Sequence, residues 1–229
     1  MNILLRLNQV SKSFEQGGQK IKVLDHLDFI VERGETISIL GQSGSGKSPL
    51  LSLLAGLDHP DKGTVEVKGE DLAKLSQDQL SKFRSKNLGI VFQQYHLMSN
   101  LTALENVGIP LELQGKSDFT GPAMLALDQV GLSDRLNHFP SQLSGGECQR
   151  VALARAIVSE PNFILADEPS GNLDRKTGGD IMDLLFRLCR EKEQSLILVT
   201  HNRELAQSCN RTLVLRDGQL NIYAENNSD

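Results

Sequence analysis

Cysteine is scarce in this chain, with three in 229 residues. Cys148, Cys189 and Cys209 are too scattered for a disulfide framework or a CxxC metal site, and they read as isolated thiols of a reducing cytoplasm. Long apolar runs are missing too. The longest are the size of one strand or a few helical turns, so no segment suits a bilayer span. Met1 to Val10 alternates apolar and polar residues and lacks the apolar block of a secretory signal, so the chain is expected to stay in the cytoplasm. Nor is there an excess of basic charge: 24 Lys and Arg are interspersed with 29 Asp and Glu, for a net charge of −5. A general nucleic-acid binder would show a basic face or stripe, so no nucleic-acid partner is expected. There is no low-complexity segment, internal repeat or heptad run. What remains is an ordinary globular composition, 39% apolar and 23% charged, at a length that suits one domain with its own core.

Periodicity organises that domain. Val23 to Val31 and Glu35 to Leu40 read as strands, separated by the turn Glu32-Arg33-Gly34; the second is short and apolar, as a buried central strand should be. Leu50, Leu51, Leu53 and Leu54 follow at helical spacing, then strand patterns at Thr64–Val67 and Leu88–Phe92. The middle of the chain is helical. Thr102-Ala-Leu-Glu105 is a capping box that opens a helix towards Leu113, Pro122 to Val130 is a second helix stopped at Gly131, and Glu147 to Ser159 is a third, ended by Pro161. Strand and helix then alternate: Phe163–Ala166, Thr177–Arg190, Leu196–Thr200, Arg203–Ser208 and Arg211–Leu215. Such alternation suggests a parallel sheet covered by helices, hence an α/β core with a helical insert at roughly 95–156. The tail Glu225–Asp229 is expected to fray.

Two clusters carry chemistry. Gly41-Gln42-Ser43-Gly44-Ser45-Gly46-Lys47-Ser48 fits G-x-x-x-x-G-K-[ST] between a strand and a helix, the context a phosphate-binding P-loop requires. Its glycines let the backbone wrap a phosphate, and the following helix adds its positive end. Lys47 can reach β- and γ-phosphates, and the Ser48 hydroxyl suits Mg²⁺. The apolar strand Phe163–Ala166 ends in Asp167-Glu168, and carboxylates at the end of a buried strand cost free energy unless a cation or a reaction uses them. Asp167 suits the Mg²⁺ of a P-loop protein, and Glu168 suits a general base on water.

Leu143-Ser144-Gly145-Gly146-Glu147, followed by Gln149-Arg150, resembles the signature motif of ABC ATPases. With Gln93, Asp167-Glu168, Asp174 and His201 in the family's order and spacing, the resemblance runs from about residue 3 to 220. It implies a RecA-like P-loop core over 1–94 and 157–220 with an N-terminal antiparallel β subdomain, a helical subdomain over 95–156 and a tail at 221–229. It implies roles as well. Phe14 would stack on adenine, Gly41 to Ser48 with Pro49 would hold the phosphates of ATP, and Gln93 would approach Mg²⁺ beside Ser48 and Asp167. Glu168 would be the catalytic base, and His201 would contact the γ-phosphate. Asp174 would communicate across a dimer. Ser144, Gly145 and Gly146, at a helix start, would complete the ATP site of a second copy, which makes a two-fold dimer closed around two ATP.

The stretches Leu101–Val107 and Ala166–Asp174 look like the lipoprotein-release and macrolide-export branch, whose ATPases pair with an integral membrane permease. That resemblance implies a subunit peripheral on the cytoplasmic face of the inner membrane, with Tyr95 to Leu101, including Leu97 and Met98, as the expected permease contact. The competing readings are a P-loop kinase, which has no use for a signature motif, and non-transport ABC ATPases of DNA repair or translation. Three residues depart from the family's pattern: Pro49 where Thr or Ser is usual, Cys148 where Gln is common, and Asn202 where Asp is common. Proline is tolerated in a helix's first turn, but it deletes an N–H and a hydroxyl that could serve the α-phosphate. A hydrogen bond to a charged group is worth about 1.5–3 kcal/mol, so Pro49→Thr is expected to tighten nucleotide binding roughly ten- to a hundred-fold. Equal dissociation constants in a fluorescent-nucleotide titration of the two proteins would refute this.

Overall fold

A long ribbon opens the chain. The structure, a computed structural model, describes residues 2–42 and 44–223; Met1, Ser43 and residues 224–229, which include the tail expected to fray, lie outside the described residues. β1 (Ile3–Gln16) and β2 (Gln19–Glu32) pair antiparallel. They turn at Gly17-Gly18, both at positive φ (59° and 78°), as a tight hairpin demands. β2 is longer than the expected Val23–Val31, because its first residues, Gln19 to Lys22, are exposed and carry no burial pattern. β3 (Thr36–Leu40), α1 (Lys47–Leu54), β4 (Lys62–Val67) and the short β5 (Glu70–Asp71) follow. α2 (Gln77–Asn87) was not expected from the hydrophobic pattern. Next come β6 (Leu88–Phe92), α3 (Ala103–Leu113), α4 (Thr120–Gln129), α5 (Gly145–Ile157), β7 (Phe163–Asp167) and α6 (Arg175–Glu191). β8 (Ser195–Thr200), α7 (Arg203–Gln207), β9 (Arg211–Arg216) and β10 (Gln219–Ile222) close the chain.

These elements form two compact units, one made of residues up to 80 together with those from 197 on, the other of residues 81–196. The first unit holds an antiparallel sheet of order β2-β1-β4-β5 and strands in the order β10-β9-β3-β8, with β3 and β9 parallel. Alternation sets the inner face of β1: Leu5 and Leu7 are buried, whereas Arg6 and Asn8 are exposed. β3 is buried throughout except at its first residue, as its apolar run required. The amide of Asp25 donates to the Gly218 carbonyl at 2.8 Å and ties the ribbon to the loop before β10.

In the second unit β6 and β7 run parallel, in register from Leu88 opposite Phe163 to Phe92 opposite Asp167. α5 is its central helix, packed on α3, α4, α6 and β6 and buried at nearly every position from Cys148 to Ile157. Gly89 makes that packing possible, since a Cβ there would stand 2.2 Å from the Ala156 carbonyl oxygen. α3 begins in the expected capping box, Thr102 with Glu105, and continues through Pro110 because buried Val107 and Leu111 hold it. The class is α/β, as expected, with an antiparallel sheet at the N-terminus and parallel strands beside it. Among the described residues no helix is long and apolar enough to cross a membrane.

Candidate functional site

In the first unit, β3 runs straight into the glycine-rich loop. Gly44 and Gly46 have φ of 80° and 102°, and a Cβ on Gly46 would meet the Val23 carbonyl oxygen at 2.7 Å. Only glycine can make this turn. Gly46 is also the N-cap of α1, and no side chain caps that helix. Lys47 folds its ammonium onto the loop, donating to the carbonyls of Gly41 and Gln42 at 2.8 Å each. Among the described residues the buried Ser45 hydroxyl has no hydrogen-bond partner. Such a group costs about 1–3 kcal/mol, which suits a loop built to meet an oxygen-rich ligand. Ser48 is exposed and Pro49 is the third residue of α1, where the first intrahelical bond, Leu50 N–H to Gly46 O at 3.0 Å, is already made by its successor. Gly41, Gln42, Gly44, Ser45, His201 and Lys22 help line one open cleft of about 820 Å³. Phe14 is 44% exposed on β1, away from the core. The Lys12 ammonium stands 5.4 Å from its ring centroid. Ser43 lies outside the described residues.

The second unit carries the other cluster. Asp167 ends β7, and Glu168, the next residue, has φ 45°. Gln93 follows β6 and is locked to the loop after β7: its amide nitrogen donates to Asn172 Oδ1, and Asn172 Nδ2 donates back to the Gln93 carbonyl, both at 3.0 Å. Asp174 caps α6, accepting from the amides of Lys176 and Thr177 at 3.1 Å. A hydrogen bond from the Thr177 side chain, followed by these amide bonds, holds its carboxyl below the usual range. Ser144 caps α5 in a full capping box: its amide and hydroxyl donate to Glu147 Oε2 at 2.9 and 2.8 Å, and the Glu147 amide donates to its hydroxyl at 3.3 Å. α5 therefore starts at Gly145, with Glu147 as its third residue and not its first. Ser144 and Gly145 are exposed, and a Cβ on Gly146 would meet Thr177 at 2.7 Å.

Motif reading gave no role to the residues that hold these pieces in place. Arg155 on α5 donates to the carbonyls of His96 and Tyr95 at 2.6 and 2.7 Å, and both residues are left-handed (φ 47° and 59°). Gln149, fully buried, donates to the Pro169 carbonyl at 2.6 Å and to that of Phe92 at 3.3 Å. Met98 is 53% exposed, whereas Leu97 is half-buried.

The profile of the family described as "ABC transporter" matches residues 24–171. The chain is similar to the ABC transporter ATP-binding protein YbbA of Escherichia coli strain K12, 48% identical over 219 residues, 95% of this chain and 96% of that protein. It is also similar to the lipoprotein-releasing system ATP-binding protein LolD of Xanthomonas oryzae pv. oryzae strain MAFF 311018. The two are 47% identical over 223 residues, 96% of this chain and 91% of that protein. A solved structure of the ATP-binding cassette MJ0796, a dimer in a post-hydrolysis state bound to ADP and Pi, matches with a TM-score of 0.87. Its identity is 38%, over 95% of this chain and 96% of that one.

A left-handed non-glycine residue stores roughly 1–2 kcal/mol of backbone strain. Glu168→Gly is accordingly expected to be about 1 kcal/mol more stable than Glu168→Ala in denaturant unfolding, although both remove the carboxylate. Equal midpoints for the two would show that position 168 carries no strain.

Proposed function

The chain belongs to the ABC transporter family as an ATP-binding, ATP-hydrolysing subunit, and from that premise we propose how its residues divide the work. The observation that carries the reading is the uncapped start of α1 at Gly46, with the orphaned Ser45 hydroxyl beside it, in a cleft shared with His201. Backbone amides of Gly41 to Ser48 wrap the phosphates of ATP, and Lys47 exchanges its contacts with two loop carbonyls for the β- and γ-phosphates. Phe14 offers an exposed face to the adenine. Ser48, Asp167 and the amide oxygen of Gln93 are the hard oxygen donors that would hold Mg²⁺, which would supply positive charge to the phosphates when bound. Glu168 takes the proton of the attacking water, and His201 orients that water against the γ-phosphate.

The signature Ser144, Gly145 and Gly146 of a second copy closes the site, with Asp174 near the contact between copies, so that two ATP lie in an isologous dimer. Similarity to a lipoprotein-releasing subunit supports an integral membrane permease as partner. The subunit would sit on the cytoplasmic face of the inner membrane and work in the lipoprotein-release or macrolide-export branch. Exposed Met98 is the residue offered to that partner. Substitution of Glu168 by Gln is expected to cut phosphate release from ATP by about a hundredfold or more while ATP still binds. Normal phosphate release by that variant, without any acceptor present, would remove Glu168 from the mechanism.

A further inference from the structure

The start of α5 is closed by its own side chain. In the capping box the Ser144 hydroxyl gives its proton to Glu147 Oε2, so it presents lone pairs, and not a proton, to anything that approaches. Glu147 adds a full negative charge at the same helix end, held ionised by the Ser144 amide and hydroxyl and then by Arg135. A γ-phosphate delivered by another copy to this helix end would be repelled by that carboxylate. Among the described residues Arg135 is the one cation in contact with it, its Nε donating to the other oxygen, Oε1, at 3.1 Å. Its turn, Ser133–Arg135, is fixed to the start of α3 through the segment that follows. The amides of Ala103 and Leu104 donate to the carbonyls of His138 and Leu136 at 2.8 and 2.9 Å.

We propose that Arg135 is a positioning residue for the shared ATP site: it holds and neutralises Glu147, so that the Ser144 hydroxyl can turn from that carboxylate to the partner-bound γ-phosphate. The inference rests on the shared-site reading above. While the hydroxyl turns, Glu147 keeps the Ser144 amide and the Arg135 guanidinium as its partners, so α5 stays capped. Without Arg135 the carboxylate holds the hydroxyl more tightly and repels the phosphate. As part of the interface between copies, the pair would lose the solvent that now screens it, and its effect would grow on assembly.

The test uses the full chain carrying Glu168→Gln, with light scattering to find the Mg-ATP concentration at which half the protein is dimeric. Adding Arg135→Ala should raise that concentration about fivefold or more, and Arg135→Lys should restore most of it. In a Glu147→Gln background, where the cap persists without the charge, Arg135→Ala should change it by less than about twofold. Glu147→Gln alone should need no more ATP than the parent, which keeps the idea testable if Arg135→Ala folds poorly. An Arg135→Ala penalty of equal size in both backgrounds, no penalty in either, or a higher ATP requirement for Glu147→Gln would overturn the proposal. A parent that never dimerises would instead overturn the shared-site reading, and this inference with it.

Discussion

A helix that begins inside a protein leaves its first amides without partners, and this fold answers that need in two opposite ways. α1 starts at Gly46 with no side-chain cap, beside a hydroxyl that is buried and unpartnered. α5 starts at Gly145 behind its N-cap Ser144, in a complete capping box whose carboxylate accepts from the Ser144 amide and hydroxyl. On the proposed reading the first end takes the phosphates of ATP, and the second exchanges an internal contact for the phosphate of another copy. That asymmetry suits a nucleotide held on the P-loop of one copy and then tested by the signature of another. It also explains why the glycines of the two motifs differ. Gly44 and Gly46 are left-handed turns, whereas Gly146 is a place where a side chain would strike Thr177.

Around α5 the second unit is organised as a single lever. Arg155, largely buried, grips two consecutive left-handed residues after Gln93, while Gln149 holds the carbonyls of Phe92 and Pro169. Burial pulls the Arg155 guanidinium down from its ordinary value, yet its two short bonds to carbonyls remain those of a cation. Residues that follow β6, residues that follow β7 and the helix behind the signature are therefore bonded to one another. A push on exposed Met98 is two residues from His96, whose carbonyl Arg155 holds. If the subunit moves a membrane partner as proposed, such stiffness would convert a local contact into a shared displacement.

Much of this was legible in the sequence. Leu88–Phe92 matched β6 to the residue, and the Thr102–Glu105 box marked the start of α3, because burial and capping are local signals. α2 was hidden by its polarity, although Ser76 and Gln79 form the reciprocal bonds of a capping box that could have revealed it. β5 and β10 were too short and exposed to leave a pattern. The P-loop and the pair Asp167-Glu168 could be named from spacing and context, whereas Phe14, Gln93, Ser144, Asp174 and His201 were named through the family resemblance. Arg155, Arg135 and Asn172 could not be named either way, since each acts on a backbone carbonyl or a side chain far along the chain: Arg155 is 59 and 60 residues from the carbonyls it holds, and Asn172 is 79 from Gln93. Motif spacing records groups that touch ligand. It does not record the groups that hold them still.

The central claim is that one chain carries two halves of different ATP sites, and it is tested most directly by removing the signature half. Ser144→Arg, placed in the Glu168→Gln chain, puts a bulky side chain at the exposed start of α5 and leaves the sequence from Gly41 to Ser48 unchanged. Sedimentation with labelled Mg-ATP should then show a monomer that still carries one nucleotide, where the Glu168→Gln parent is a dimer with two. A Ser144→Arg protein that dimerises around ATP as its parent does would contradict the shared site.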